Sequence, residues 1–310
     1  MRSTFLFATL VVAACTTDSR RAAARADTLV VYDAASLAGP MRPLLDTFAA
    51  RTGAVVQEEH GASLELARRV LDLKRVPDVI ALADRDVFPA LLMPSATAWY
   101  ATFARDRMAI AYTRGSRHAD QIRSDNWREI LQRADVRVGR SDPVQAPAGY
   151  RTLITYALAE RFYAEPGLAR RLAERTPPSQ IRGNAAELTA LLSTGELDYI
   201  VDYESVARSH GFKFVSLPAD IDLGDVAHAA AYGGATVSVP TRKGAVAHRG
   251  EPILFAVSVP RSAPHGRTGI RFVRFLLGRE GREMLRRGNM DTHDGPVFTG
   301  DTMPMASTPP

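Results

Sequence analysis

"TLVVYDAASLAGPMRPLLDTFAART", residues 28–52, passes from an apolar, β-branched run into a pattern with Leu37, Met41, Leu44, Leu45 and Phe48 at helical spacing. A strand that feeds straight into an amphipathic helix is the repeating unit of α/β folds. The succession recurs downstream. "AVVQEEH" (54–60) leads to a helix from Ser63 to about Lys74, "PDVIALAD" (77–84) is a third strand, and "RMAIAYT" (107–113) a fourth. "VRVGRSD" (136–142) leads to a helix over about Gly149 to Glu160, and a charged helix follows near 166–175. A helix opening at Asn184 is followed by "DYIVDY" (198–203), then "KFVSLP" (213–218), "ATVSVP" (235–240) and "PILFAVSVP" (252–260). "RTGIRFVRFLLGREGREML" (267–285) reads as a pair of amphipathic helices. These alternations predict an α/β chain with largely parallel sheets. Pro43 interrupts its pattern, so the first regular helix is expected to begin near 40–43. "DTHD" (291–294) reads as a solvated loop beside the tail.

With 310 residues, 46% of them hydrophobic, the chain can bury two moderate cores, and two lobes are the expectation. The net charge of +5 is spread along the chain and interleaved with acids, which favours a solvated surface over a nucleic-acid footprint. The single cysteine, Cys15, excludes an internal disulfide. It ends "MRSTFLFATLVVAAC", where Arg2 precedes an apolar stretch too short for a permanent span. The run Val12 to Cys15 resembles a bacterial lipobox, which implies removal of residues 1–14 and a lipid on Cys15. An ordinary secretory signal is the alternative. Residues 15–27 read as a tether and 304–310 as a disordered tail. The seven histidines show no H-E-x-x-H spacing, "YGGA" (232–235) lacks a strand-to-helix phosphate-loop context, and no G-x-S-x-G elbow occurs. An enzyme is disfavoured.

The informative residues stand at the helix starts. Ser36 precedes the first and Ser63 the second; "PAG" (147–149) opens the third, and Asn184 the fourth, with Glu187 three positions on as a capping box. Following strands, such starts gather at one edge of an open sheet and point unpaired N–H groups at a shared anion. That arrangement explains two prolines and a glycine in "SDPVQAPAGYR" (141–151), a stretch with no nucleophile.

"YDAASLAGPM", "HGASLELARRV", "SDPVQAPAGYR", "NAAELTALLSTGELDYIVDY" and "FVRFLLGREGREML", in this order over about residues 28–300, resemble the molybdate- and tungstate-binding proteins of ABC importers. The resemblance implies a two-lobed periplasmic-binding-protein fold of type II with an oxyanion in the cleft, no cofactor, and a membrane permease and ATPase as partners of a monomer outside the cytoplasm. It implies hydroxyl and N–H donors from Ser36 and Ser63, backbone N–H donors from Ala148 and Ala185, and a hydroxyl donor from Tyr203. In the archaeal-type branch, which "SDPxQ" and "LDYI" also resemble, two carboxylates raise the metal's coordination from four to six. The positions matched to them are Ala146 and Ala185, so a donor-only pocket and a four-coordinate, tetrahedral ion are expected; Asp142 and Glu187 lie nearby but read as a loop acid and a capping residue. Sulfate, phosphate or an organic acid on the same fold, or an exported hydrolase or sensor, are the competing readings. Lobe I is expected over 28–107 plus 256–303 and lobe II over 108–255, with "RMAIAYT" and "PILFAVSV" as the crossings.

Overall fold

The computed structural model describes residues 27–242 and 244–301. The expected leader, Cys15 and the tail 304–310 lie outside the described residues, as does nearly all of the tether.

Strand β1 (Thr28–Ala34) turns through Ala35–Leu37 into helix α1 (Ala38–Thr52), and β2 (Val55–Gly61) leads directly into α2 (Ser63–Asp72). Strand β3 (Val79–Leu82) and β4 (Trp99–Asp106) follow. One residue, Arg107, separates β4 from β5 (Met108–Tyr112), which belongs to a different sheet. The second lobe continues with α3 (Trp127–Leu131), β6 (Val138–Ser141), α4 (Pro147–Phe162), α5 (Leu168–Glu174), β7 (Ile181–Arg182), α6 (Ala185–Ser193), β8 (Tyr199–Tyr203), α7 (Glu204–Ser209) and β9 (Lys213–Ser216). After α8 (Ala229–Tyr232), the hairpin β10 (Thr236–Thr241) and β11 (Gly244–Arg249) closes that lobe. The chain returns in β12 (Ile253–Ser258) and finishes with α9 (Gly266–Leu277), α10 (Arg279–Arg287) and β13 (Asp291–Gly300).

The first sheet has the order β13-β4-β12-β3-β1-β2 and the second β7-β6-β8-β5-β9. The strands that feed the helices are parallel, β1 with β2 and β3, and β6 with β7 and β8. Those that carry the chain across run antiparallel to their neighbours, as β12 does to β3 and β4 and β5 does to β8 and β9. The sheets are therefore mixed rather than largely parallel. All of β12 pairs within the first sheet, so the lobe boundary expected between 255 and 256 falls inside a strand, and the chain returns just before Ile253.

Helix α1 buries Met41, Leu44, Leu45 and Phe48, and Phe48 meets Phe272 of α9 edge to face at 5.3 Å. Each such side chain contributes about 1.5–3 kcal/mol through burial. The helix begins at Ala38, earlier than Pro43 suggested: Pro40 falls in the first turn, where no hydrogen bond is lost, and the helix runs on through Pro43. Four strands escaped the sequence reading: β4, the two-residue β7, the hairpin partner β11, and β13. β4 mixes aromatic residues with alanine and is almost wholly buried, without the polar alternation that marks a strand. β13, read as a solvated loop, is a mostly exposed edge strand whose pairing with β4 slips between Thr292 and Val297.

The start of α4 is held tightly against the loop after β6. Asp142 accepts from the Val144 N–H at 2.8 Å and from the Gln145 side-chain amide at 2.7 Å, folding residues 142–145 into a compact turn. Pro147 occupies the first helical turn, where its missing N–H has no consequence. A Cβ on Gly149 would lie 2.5–2.6 Å from backbone atoms of Ser141, Asp142 and Pro143. Gly149→Ala is therefore expected to cost at least about 1–3 kcal/mol in urea unfolding, because the helix start has to back away from the loop; wild-type stability would show the packing to be looser than described.

Candidate functional site

The turns after β1, β2, β3, β6, β7 and β8 face one another between the two sheets and enclose a cavity of about 20 Å³. The residues singled out in the sequence, Ser36, Ser63, Ala148, Ala185 and Tyr203, all line it. Their brackets of chain come from both lobes: Ser36 and Ser63 from the first, Ala148, Ala185 and Tyr203 from the second.

The serines are not side-chain caps. Ala62 is the residue preceding α2, and Ser63 is the first residue of the helix; Ala146 plays the same part before α4. Neither helix has a side-chain cap, nor does the turn at Ala35–Leu37. Alanine at this position costs about 0.5–2 kcal/mol relative to Ser, Asn or Asp, because the first-turn N–H groups are left without an acceptor. Only α6 has a side-chain cap among these starts, with Asn184 Oδ1 accepting from the Glu187 N–H at 3.2 Å. Asn184 also donates to the Glu187 carboxylate at 2.9 Å, which occupies that acid locally. The N–H groups of Ser63, Ala148 and Ala185 sit within first turns, where no intrahelical carbonyl reaches them, and helix ends there present positive partial charge.

The hydroxyls are arranged as donors. Ser63 Oγ accepts from the Ala83 N–H at 3.1 Å, leaving its own proton free. Tyr203 Oη accepts from Arg151 at 2.7 Å, and burial holds the phenol well above its ordinary pKa even with Arg151 beside it. Among the described residues lining the cavity there is no Lys or Arg; Arg151 stands behind Tyr203 and is paired with Asp84 at 3.1 Å.

Two lining residues with polar side chains were missed. Ser141, at the end of β6, is fully buried, and among the described residues its hydroxyl has no partner. Asp202, 1% exposed, accepts the Tyr203 N–H at 2.8 Å with Oδ1, while Oδ2 has no partner. The wall is thus not made of donors alone, as expected from Ala146 and Ala185. Burial, opposed by the Tyr203 N–H and reinforced by Asp106, lifts Asp202 to about 7. Asp106, which hydrogen-bonds to Ser205, is raised to about 7 by burial as well. Both signals were present in "GRSD" and "VDY", but a serine or acid in a strand declares its facing only once the register is known. Among the described residues, one further group could attract a metal: Asp33, Glu58 and His60, on neighbouring positions of β1 and β2. His60 bonds Asp33 at 2.6 Å and Arg42 bonds Glu58 at 3.2 Å, so internal ion pairs account for it.

Residues 29–288 match the family of bacterial extracellular solute-binding proteins. A solute-binding protein of Petrotoga mobilis is 38% identical over 94% of this chain and 89% of its own length. The molybdate/tungstate-binding protein WtpA of Thermococcus kodakarensis is 33% identical, covering 88% of this chain and 84% of its own. Among solved structures, the periplasmic molybdate-binding protein of Azotobacter vinelandii superposes with a TM-score of 0.61 at 16% identity, over 84% of this chain and 98% of that one. The sulfate-binding protein SubI of Mycobacterium tuberculosis gives 0.62 at 14% identity, over 86% and 88%. These two support the two-lobed fold of periplasmic binding proteins.

The buried acids make stability depend on pH. Asp202 and Asp106 are neutral in the folded chain to about pH 7, whereas an unfolded aspartate ionises near pH 4. The stability they add is complete below about pH 4 and is lost as pH rises through about 7. Asp202→Asn should therefore leave stability nearly unchanged at pH 4 and raise it on the order of 1 kcal/mol or more at pH 8. Urea titrations at both values measure the difference, and an equal effect at the two would contradict it.

Proposed function

This chain belongs to the bacterial extracellular solute-binding proteins, and we propose that its solute is a tetrahedral dianion, molybdate or tungstate, captured outside the cytoplasm for an ABC importer. The observation that carries the reading is the set of uncapped helix starts around a cavity with no Lys or Arg in its wall. A dianion is the cap they lack. At about 20 Å³ the cavity is an order of magnitude below the roughly 300–1,000 Å³ of drug-sized sites, which favours a single small ion over a sugar, peptide or cofactor. Hydrogen bonds to a charged acceptor contribute about 1.5–3 kcal/mol each. Six or seven from the N–H groups and hydroxyls of Ser36, Ser63, Ala148, Ala185 and Tyr203 sum to roughly 10–20 kcal/mol before desolvation and closure are subtracted. In this reading the ion is bound without a cofactor and leaves unchanged.

Asp202 enters this scheme as a neutral acid. An ionised carboxylate beside a dianion is strongly unfavourable, so the bound state keeps the proton and can donate it. Ala146 and Ala185 offer no side-chain ligand, which leaves the ion four-coordinate. The same residue supports a second reading. An ionised Asp202 would accept the proton of hydrogen phosphate, so phosphate, like sulfate, belongs among the competitors to be measured. The finer topology follows the sequence: Cys15 as a lipid anchor after removal of residues 1–14, a monomer, and a permease with its ATPase as partners.

Calorimetric titration with molybdate, tungstate, sulfate and phosphate tests the substrate, the first two being expected to bind most tightly. Ser36→Ala and Ser63→Ala should each weaken molybdate binding by about 1–3 kcal/mol, roughly 5- to 150-fold. Affinity should fall as pH rises above about 7, where retaining the Asp202 proton becomes costly, and Asp202→Asn should flatten that profile. X-ray absorption on the bound metal should give four oxygens. A fifth, longer contact would assign Asp202 as a ligand in its ionised form, and phosphate binding more tightly than molybdate would replace the oxyanion.

A further inference from the structure

Tyr203 has a donor whose acceptor is not in the protein. Its oxygen already receives a hydrogen bond from Arg151 Nη1 at 2.7 Å, and among the described residues no group accepts its proton. A guanidinium has donors only and cannot take it. The side chain is 2% exposed and lines the cavity, so the phenol proton has nowhere to go except the occupant.

Arg151 is fixed in turn from the opposite lobe. The same Nη1 donates to the Ala83 carbonyl at 2.6 Å, and Nη2 pairs with Asp84 at 3.1 Å. Ala83 and Asp84 follow β3 in the first lobe, whereas Arg151 lies on α4 in the second. Tyr150, beside Arg151 on α4, donates to the other oxygen of Asp84. Arg151 and Asp84 are 4% and 5% exposed, so this is a buried pair that exists only while the lobes are together. A buried pair of this kind adds little net stability over an apolar replacement, but it demands one geometry.

We propose that Arg151 is a positioning residue: it aims the Tyr203 hydroxyl at the bound ion, and its bonds to Ala83 and Asp84 make that aim conditional on closure. When the lobes part, the guanidinium loses two of its three partners and Tyr203 its fixed rotamer. When they meet, the last hydroxyl donor is locked toward the cavity. The ion and the cross-lobe pair therefore favour the same state, each strengthening the other.

This deepens the oxyanion reading and rests on it. Titration of sodium molybdate into the wild type, the pair Arg151→Met with Asp84→Asn, Tyr203→Phe, and all three changes together forms a double-mutant cycle. Changing Arg151 and Asp84 together avoids stranding either charge in the interior. The paired change should weaken binding roughly 10- to 100-fold alone and several-fold less than that once Tyr203 is Phe, the remaining loss being the pair's own share in closure. Losses that simply multiply would show that Arg151 does not act through Tyr203 and would overturn the proposal. Should the paired variant not fold, Arg151→Lys carries the same cycle, since its single nitrogen on a shorter stem cannot occupy the positions of both Nη1 and Nη2, and the same two outcomes decide. Small-angle scattering gives the second readout. Ligand-driven compaction should persist in Tyr203→Phe and shrink in the paired variant; equal compaction in both overturns the link to closure. If the wild type binds none of the four oxyanions, the functional reading fails, and this proposal with it.

Discussion

A helix start is never complete by itself. Its first turn holds N–H groups that no carbonyl of the helix can reach, and in most proteins a serine, asparagine or aspartate just ahead supplies the acceptor. Here the residues ahead of α2 and α4 are alanines, and the turn before α1 has no side-chain cap either. Three chain segments meet in this state around one cavity, drawn from two sheets, beside the start of α6, which Asn184 caps. The rest of the architecture serves that meeting. Parallel strands β1, β2, β6 and β8 end at the same edge so that the turns after them can converge, and Gly149 lets α4 press against the loop after β6 closely enough to bring Ala148 to the wall.

The local part of this design is readable along the chain. Strand, turn and helix succeed one another within about a dozen residues, so Ser36, Ser63, Ala148 and Ala185 declare themselves as residues at helix starts, and Tyr203 as the last residue of a strand. What is not readable is anything that depends on which strands become neighbours. Ser141 and Asp202 acquire meaning from the register of β6 against β8. Arg151 looks like an ordinary helical arginine until β3 of the other lobe delivers Ala83 and Asp84 to it. The strands β4 and β13 were invisible for the same reason: one is buried among strands far away in sequence, and the other is an exposed edge with little apolar content.

The electrostatic plan is one of near-cancellation. Among the described residues the cavity wall contains no Lys or Arg, and the Arg151 guanidinium behind Tyr203 is balanced by Asp84. The acid that does reach the wall, Asp202, is held near neutrality by burial and by its neighbour Asp106. Fixed dipoles and hydroxyls supply the attraction, and fixed dipoles need no reorganisation when the guest arrives. Such a pocket discriminates by counting protons and oxygens: a guest with a proton of its own must find an acceptor, and Asp202 changes from donor to acceptor when it ionises.

The first of the two crossings between the lobes has almost no slack. A single residue, Arg107, links β4 to β5; its N–H is held by Asp106 at 2.8 Å and its carbonyl by the Glu204 N–H at 2.9 Å. With both peptide groups anchored, this crossing favours torsion about that one residue, a hinge, over sliding of one lobe on the other. The cavity sits out along the lever arm, and a small twist at the pivot becomes a large change in the gap. The mouth can therefore admit or release an ion without either sheet being remade.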